Sequence, residues 1–287
     1  MAFSTTGKTY LNRLLGKVNL RLDTLTAERL EQHRLKWLCA ADNFGKPPFP
    51  VPESFKQSGA GRILKGVSKY QDSLACLASP SRNAVGYSFD NEYFSSPDAD
   101  VLYTIVREFQ PQRVVEVGSG HSTKICRQAA MDASLKTRIV SIDPFPRQDV
   151  GTLADEIHRV EAERLQDLQA FKSLAENDIL FIDSSHVIKT GNDVVFLYLK
   201  VIPELAPGVL IHIHDIFLPF DYPEDWVVEM RWEWNEQYLV QALLTFSKQF
   251  EVLWPGYFLQ RTQPDFGCYF PHMNSQRAGS LWLRKIS

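Results

Sequence analysis

Cysteine is scarce in this sequence, which has four cysteines among 287 residues. Cys39, Cys76, Cys126 and Cys268 include no pair with the C-x-x-C spacing of zinc and redox motifs. A chain of this length can bury a core large enough to fold without disulfides. We therefore expect reduced thiols, as in a cytoplasmic protein.

The sequence also lacks long hydrophobic runs. A membrane-spanning helix needs roughly 20 consecutive apolar residues, and no stretch approaches that length. The first 17 residues carry Lys8, Arg13 and Lys17 without the apolar segment of a secretory signal. Neither a membrane partner nor export is expected, and the predicted location is cytoplasmic.

An excess of charge of one sign is missing as well. The chain has 31 basic and 34 acidic residues, so its formal net charge is -3. Proteins dedicated to binding nucleic acid usually carry a strong basic excess, so we expect no nucleic-acid partner. Hydrophobic residues make up 44% of the chain and charged residues 23%, values typical of a folded domain rather than a disordered chain.

The pattern along the chain changes near residue 95. Residues 1–95 show weak periodicity and a proline-rich strip at residues 46–52, and we expect a mostly helical N-terminal extension there. Over residues 96–287 short apolar segments alternate with helical ones, which is typical of an α/β domain with a mainly parallel sheet. The predicted strands are residues 113–117, 138–142, 178–182, 208–213, 251–254 and 280–285, with a further strand supplied by residues 156–163, near residues 158–162.

A glycine-rich turn follows the first predicted strand, in the sequence EVGSGHST at residues 116–123. Ligands of parallel sheets bind at the carboxyl ends of strands, and Gly118 and Gly120 would let the backbone approach one closely. Thr123 stands where a dinucleotide fingerprint requires its third glycine. Glu116, two residues before the first glycine, suits a cationic ligand better than a pyrophosphate. The alternative enzyme class is a nicotinamide-dependent oxidoreductase, and the missing glycine and Glu116 both count against it.

Polar residues also follow the second and third predicted strands. Asp143 could accept hydrogen bonds from both hydroxyls of a ribose, or it could cap a helix. Pro144 and Pro146 disfavour a helix directly after it. Gln166 and Asp167 could meet an adenine edge, or Asp167 could cap the next helix.

The fourth and fifth predicted strands end in a carboxylate and imidazole cluster. Asp183 and His186 follow the fourth strand, and His214 and Asp215 follow the fifth. Neighbouring strands would bring these four side chains together. Asp183, His214 and Asp215 could hold a divalent metal, or His186 or His214 could act as a general base. The structural alternative is a satisfied hydrogen-bond network around a buried histidine.

These motifs together resemble the class I S-adenosylmethionine-dependent methyltransferases, in particular a bacterial small-molecule branch with a similar glycine loop. The resemblance covers roughly residues 89–285, including the segment FDNEYF at residues 89–94. It implies a Rossmann-like, doubly wound sheet of seven strands, mainly parallel, with the last strand antiparallel. It also implies S-adenosylmethionine as the cofactor, with the glycine loop around its methionine part, Asp143 at the ribose, and Gln166 or Asp167 at the adenine. The cofactor contacts that it implies are Asn91, Tyr93, Phe94, Glu116, Gly118, Ser119, Gly120, Ser122, Asp143, Gln166, Asp167 and Asp183.

Within that family, metal-assisted members of the catechol type hold magnesium with acids at these strand ends. Asp183 and Asp215 occupy similar places, whereas His186 and His214 depart from the all-oxygen pattern. The resemblance therefore leaves open a softer metal, or no metal and a histidine base. Asp183, His186 and His214 are the predicted catalytic residues.

The predicted activity is methyl transfer to a small molecule, on oxygen. An aromatic segment after the fifth strand could line the acceptor pocket or pack in the core: Phe217, Phe220, Tyr222, Trp226, Trp232 and Trp234. We expect residues 1–95 to form a lid over the strand ends. A non-catalytic module that binds the cofactor is the alternative outside enzymology.

Overall fold

The computed structural model describes residues 5–23, 25–41, 44–146 and 150–287. The chain forms two compact units, Met1–Lys46 and Pro47–Ser287. The first contains α1 (Thr5–Leu15), a 3₁₀ turn (Gly16–Val18) and α2 (Thr26–Ala40). Residues 47–95 share a compact unit with the sheet, and the role of residues 1–95 as a lid stays a prediction.

The second unit is built on one seven-stranded sheet with the order β3-β2-β1-β4-β5-β7-β6. Its first five strands run parallel, and β7 pairs antiparallel with both β5 and β6. This confirms the predicted Rossmann-like sheet and its antiparallel last strand. The strands are β1 (Arg113–Val117), β2 (Arg138–Ile142), β3 (Glu156–His158), β4 (Ile179–Ile182), β5 (Leu210–Ile213), β6 (Phe250–Pro255) and β7 (Leu281–Lys285).

Helices cover both faces of this sheet. The α-helices of the second unit are α3 (Glu53–Lys56), α4 (Ala60–Lys69), α5 (Gln71–Cys76), α6 (Asp98–Phe109), α7 (His121–Asp132), α8 (Gln169–Lys172), α9 (Asp193–Phe196), α10 (Ile202–Glu204), α11 (Glu236–Phe246) and α12 (Gly256–Thr262). Two π-helical segments (Leu197–Val201 and Asp225–Glu229) and 3₁₀ turns (Pro80–Arg82, Ala162–Arg164 and Phe266–Tyr269) complete the list. None of the helices in the described part of the chain combines the length and the apolar character needed to cross a bilayer.

The central strands are hydrophobic on both faces because both faces are covered. In β4, Ile179 and Phe181 join the core formed with α4, α6 and α7, while Leu180 and Ile182 join the core formed with α9 and α11. All four residues of the strand are buried. A continuous apolar run of this kind is the sequence signature of a parallel strand between two helical layers.

The third strand lies at the start of the predicted segment 156–163, and it ends at His158, where the expected centre of the strand begins. It pairs only with Val140–Ile142, the last three residues of β2, so the ladder has no further partner residues beyond His158. The chain then turns into the 3₁₀ segment Ala162–Arg164. This shift changes which residues of the segment reach the carboxyl edge of the sheet.

Candidate active site

A cavity of about 1170 Å³ opens at the carboxyl ends of the parallel strands. The central strand β1 lies between β2 and β4, so the strand order reverses there, and such switch points are where open α/β sheets bind ligands. The predicted site residues that line the cavity are Tyr93, Gly118, Ser119, Asp143, Asp183, His186, His214 and Asp215.

The turn after β1 requires glycine at residue 118. Gly118 has φ of +81°, and a Cβ atom built there would lie 1.9 Å from the backbone oxygen of Asp183. The two loops are in this close contact because Asp183 N donates to Val117 O (2.9 Å), while Gly118 N donates to Ile142 O (3.1 Å) at the end of β2. A side chain at residue 118 would therefore push the glycine loop away from the end of β4.

Asp143 fixes the glycine loop from the neighbouring strand. Its Oδ2 accepts hydrogen bonds from the backbone N–H (2.8 Å) and the hydroxyl (3.1 Å) of Ser119, and its Oδ1 accepts one from Phe145 N (2.8 Å). The carboxylate therefore holds the loop while it lines the cavity. Residues 144–146 are not helical, so Asp143 does not cap a helix that begins directly after it.

Glu116 lies beneath the loop and is not among the cavity-lining residues. Its side chain is 0% exposed and accepts hydrogen bonds from the hydroxyls of Ser122 and Thr123 at the start of α7. Burial disfavours the carboxylate and raises the pKa of Glu116 to about 8, although the two hydroxyls oppose the shift. Gly120 and Ser122 also lie outside the lining. Glu116, Gly120 and Ser122 therefore support the loop from outside the cavity, and their contact with a cofactor stays a prediction.

The raised pKa of Glu116 gives the fold a pH dependence that can be measured. The unfolded chain ionises this group near 4.5, whereas the folded protein keeps it protonated to about pH 8, so the free energy of unfolding should fall as the pH rises between these values. Glu116→Gln should flatten that part of the profile. Melting temperatures at pH 5 to 8 test this, with exposed Glu251→Gln as the control. Parallel profiles for Glu116→Gln and the wild type would contradict it.

The predicted adenine residues take different places from those expected. Gln166 and Asp167 are not among the residues that line the cavity, and Asp167 Oδ1 accepts a hydrogen bond from Gln169 N (2.7 Å) at the start of α8. Glu161, Ala162 and Glu163 line the cavity instead. Sequence reasoning missed this segment because it placed the third strand over the residues that form the turn. The cofactor roles of Gln166 and Asp167 stay a prediction.

The segment before α6 forms a braced turn at the cavity mouth. Asn91 Oδ1 accepts hydrogen bonds from the backbone N–H groups of Tyr93 (3.1 Å) and Phe94 (2.8 Å). Tyr93 lines the cavity, whereas Phe94 is buried against Phe181 and His214, with ring centroids 5.7 and 5.2 Å apart. Asn91 thus shapes the turn, and Tyr93 is the member of the segment best placed to touch a ligand.

The structure brings the acidic and imidazole side chains at the ends of β4 and β5 together. His186 Nε2 lies 3.3 Å from Asp183 Oδ1 and 3.7 Å from Asp215 Oδ2. His214 Nε2 lies 3.8 Å from Asp215 Oδ1. One ligand atom from each of Asp183, His186 and Asp215 falls within 4.8 Å of the others, a spacing that could hold a metal ion. His214 lies beside this group, and its place in the predicted ligand set stays a prediction.

Opposite charges dominate the electrostatics of this cluster. Burial opposes charge on His186, but its contacts with Asp183 and Glu236 outweigh burial and raise its pKa well above the ordinary value. Burial favours the neutral form of Asp183, yet the hydrogen bond from His186 and the charge of His214 hold its pKa below the usual range. Likewise the pKa of His214 is raised, against burial, by Asp215 and Asp183. The cluster therefore favours a cation among its carboxylates.

Sequence reasoning missed Glu236, the first residue of α11. Its carboxylate is 0% exposed, and its Oε2 lies 2.9 Å from His186 Nδ1. Glu236 lies 50 residues from His186 in the chain, and no local pattern links the two. Only the packing of α11 beside the end of β4 reveals the pair.

Aromatic side chains form the wall next to the cluster. Trp232 and Trp234 stack with ring centroids 4.5 Å apart, and Trp234 lies 4.3 Å from the His186 ring. The predicted aromatic residues that line the cavity are Phe217, Trp226, Trp232 and Trp234. Phe220 and Tyr222 are buried outside the lining, so the aromatic segment serves both as core and as cavity wall.

Residues 115–216 match the model of a family described as a methyltransferase domain. A search of curated proteins gave no match. Among solved structures, SAH-bound Podospora anserina methyltransferase PaMTH1 is 15% identical, with 93% of this chain and 98% of that chain covered and a TM-score of 0.43. Bacillus cereus O-methyltransferase in complex with SAH is 14% identical, with 79% and 91% covered and a TM-score of 0.42. A cmcI structure with Mg-SAM is 18% identical, with 71% and 81% covered and a TM-score of 0.38.

Proposed function

We propose that this chain is an S-adenosylmethionine-dependent methyltransferase, and that it transfers the methyl group of its cofactor to an oxygen atom of a small molecule; the match of residues 115–216 to a methyltransferase-domain family supports this. The observation that carries the proposal is the single cavity that joins the glycine loop and Asp143 to the cluster at the ends of β4 and β5. A cofactor held at the first region and an acceptor held at the second would share one enclosed space. Bringing two reactants together in line is the main task of a protein that uses an already activated methyl donor.

The cofactor half of the cavity is formed by the ends of β1 and β2. Gly118 and Ser119 offer backbone close to the ligand, and Asp143 offers a carboxylate for the ribose hydroxyls. Glu161 and Glu163 line the far side, where the adenine would lie. Acidic groups suit a cofactor that carries a sulfonium and an ammonium group.

The acceptor half is formed by the cluster and by the aromatic wall. Asp183 and Asp215 supply carboxylates, and Trp226 and Trp234 supply flat apolar surface beside them. Pockets of this composition bind small organic ligands, with the polar groups fixing the orientation. A hydroxyl group directed at the carboxylates would be the atom to be methylated.

The acceptor proton must leave during transfer, and two routes fit the cluster. In the first, an imidazole accepts it; His214 is the better candidate, because its Nε2 faces one carboxylate at 3.8 Å, whereas both nitrogens of His186 face carboxylates at shorter distances. In the second, Asp183, His186 and Asp215 hold a divalent metal, and their two carboxylates and one imidazole are a suitable donor set. A bound metal would lower the pKa of a hydroxyl acceptor.

The cofactor half can be tested by calorimetry with S-adenosylhomocysteine. Asp143→Ala should raise the Kd by roughly 10- to 100-fold, since it removes a charged hydrogen-bond acceptor and frees Ser119. Asp72→Ala, which changes an exposed acid outside the lining, is the control and should leave the Kd unchanged. Equal effects of the two substitutions would contradict the assignment, and no binding to the wild type would overturn the function.

The acceptor half can be tested by product analysis. The protein is incubated with a metabolite extract and S-adenosylmethionine that carries a ¹³C-labelled methyl group, and labelled products are found by mass spectrometry. The carbon chemical shift of the new methyl group then distinguishes attachment to oxygen, nitrogen or carbon. A methyl ether or ester supports the proposal, and a product methylated on nitrogen or carbon would overturn its choice of oxygen.

A further inference from the structure

The imidazole of His186 is held between a buried carboxylate and the cavity. Glu236 Oε2 lies 2.9 Å from Nδ1, on the side away from the cavity lining, whereas Asp183 and Asp215 approach Nε2 from within the lining. When the ring is neutral, Glu236 therefore keeps the proton on Nδ1. The lone pair of Nε2 then faces the two cavity carboxylates.

Glu236 is itself held firmly relative to His186. The backbone N–H groups of Asn235 (2.9 Å) and Glu236 (3.1 Å) both donate to His186 O, and Asn235 Oδ1 accepts from Ile188 N. The start of α11 and the loop after β4 are thus joined by backbone as well as by side chains. His186 has φ of +59°, a left-handed conformation that is uncommon for a residue other than glycine and that these contacts stabilise.

The position of Glu236 excludes direct contact with a ligand in the cavity. Its side chain is 0% exposed and is not among the cavity-lining residues, so any effect on the site must pass through His186. A carboxylate behind a histidine is the usual arrangement around metal-bound imidazoles in proteins, because it fixes the tautomer and the ring orientation.

The adjacent His214 adds a second, independent indication of a ligand. It is 6% exposed and lines the same cavity, and its Nδ1 has no hydrogen-bond partner among the described residues. Buried polar atoms are normally satisfied, so an unpartnered nitrogen on a histidine that lines this cavity is one that a bound ligand could satisfy.

The donor set also indicates the class of metal. Magnesium prefers an octahedron of oxygen ligands, whereas imidazole suits transition metals such as iron, nickel and zinc. Manganese is the weakest binder of the first-row series at a mixed nitrogen and oxygen site, so it is the most stringent member with which to test such a site. Asp183 and Asp215 supply the oxygens, and His186 supplies the nitrogen.

We propose that Asp183, His186 and Asp215 form a site selective for a divalent transition metal over magnesium, and that Glu236 is the positioning residue that directs Nε2 of His186 into it. This inference rests on the proposed function only in assigning the metal to the acceptor half of the cavity. It is a statement about binding, so it can be tested without turnover.

The test uses the full-length protein after chelator treatment, with neither cofactor nor acceptor present. Manganese titrations followed by electron paramagnetic resonance should show one site, and pulsed measurements should show coupling to a nitrogen nucleus. His186→Gln should remove the nitrogen coupling. Glu236→Gln should weaken manganese binding by roughly 10- to 100-fold. Glu251→Gln, an exposed acid on β6, is the matched control and should bind like the wild type.

Three results would overturn the proposal: no stoichiometric manganese site, displacement of manganese by an equal concentration of magnesium, or unchanged affinity in Glu236→Gln. Calorimetry with S-adenosylhomocysteine on the same variants separates this question from the proposed function. Retained cofactor binding shows that Glu236→Gln is folded, so a loss of metal affinity then reports on the site. Loss of cofactor binding in the wild type would instead count against the function.

Discussion

Asp183→Asn is expected to lower the rate of methyl transfer by at least about 100-fold, the scale of a lost proton-transfer or metal-ligand contribution. The substitution keeps the size of the side chain but removes the charge that faces His186 Nε2 at 3.3 Å. Either route for the acceptor proton depends on that charge, because it raises the pKa of the His214 imidazole in one and contributes to the metal site in the other. The measurement is the initial rate at which labelled methyl enters the product.

A control is needed because any loss of charge could change the rate indirectly. Asp72→Asn removes an exposed carboxylate from α5, which is outside the cavity lining, and should leave the rate unchanged. A rate for Asp183→Asn within about threefold of the wild type would be incompatible with a catalytic role for Asp183, because general acid–base contributions are much larger than that. Similar losses in both variants would point to a general electrostatic effect.

Gly118→Ala is expected to damage both the fold and the cofactor site. The new Cβ would lie 1.9 Å from the backbone oxygen of Asp183, and that oxygen cannot rotate away as a side chain could. Overpacking of this kind together with a left-handed φ of +81° should lower the free energy of unfolding by about 2–4 kcal/mol. The displaced loop should also weaken S-adenosylhomocysteine binding by at least about tenfold, since Ser119 would leave Asp143.

Gly191→Ala separates the two causes of that loss. Gly191 has φ of +78°, close to that of Gly118, but nothing lies within 4 Å of a Cβ built there. It should therefore show only the conformational cost of roughly 1 kcal/mol and normal cofactor affinity. Thermal melts and calorimetry on both variants test the comparison. Equal destabilisation by the two substitutions would mean that the close approach of the loop to Asp183 is not a constraint.

Much of the sheet could be predicted because its signals are local. The bounds of β1 and β2 were predicted to the residue from their apolar, β-branched composition. The third strand was misplaced because its length depends on β2. The third strand pairs with only three residues of β2, and the sequence of residues 156–163 does not indicate that the pairing is so short.

The residues of the candidate site also divide into those that the sequence predicts and those that it does not. Asp183, His186, His214 and Asp215 could be chosen from the sequence, because each follows an apolar run that predicts a buried strand, and strand order then brings their ends together. The residues that support these four side chains could not be identified from the sequence. Glu236 meets His186 through the packing of α11, and the Glu161–Glu163 turn reaches the cavity because β3 is short.

The sequence by itself determined the α/β class, the glycine turn that holds Gly118, and the polar residues at the strand ends, since these depend on neighbours in the chain. The tertiary structure decided which of those residues face the cavity and which brace it from behind. Glu116 carries a carboxylate like Asp143, yet it is buried beneath the loop while Asp143 lines the cavity. The physical reason is that burial, hydrogen bonding and the resulting pKa depend on elements distant in sequence, and only packing specifies them.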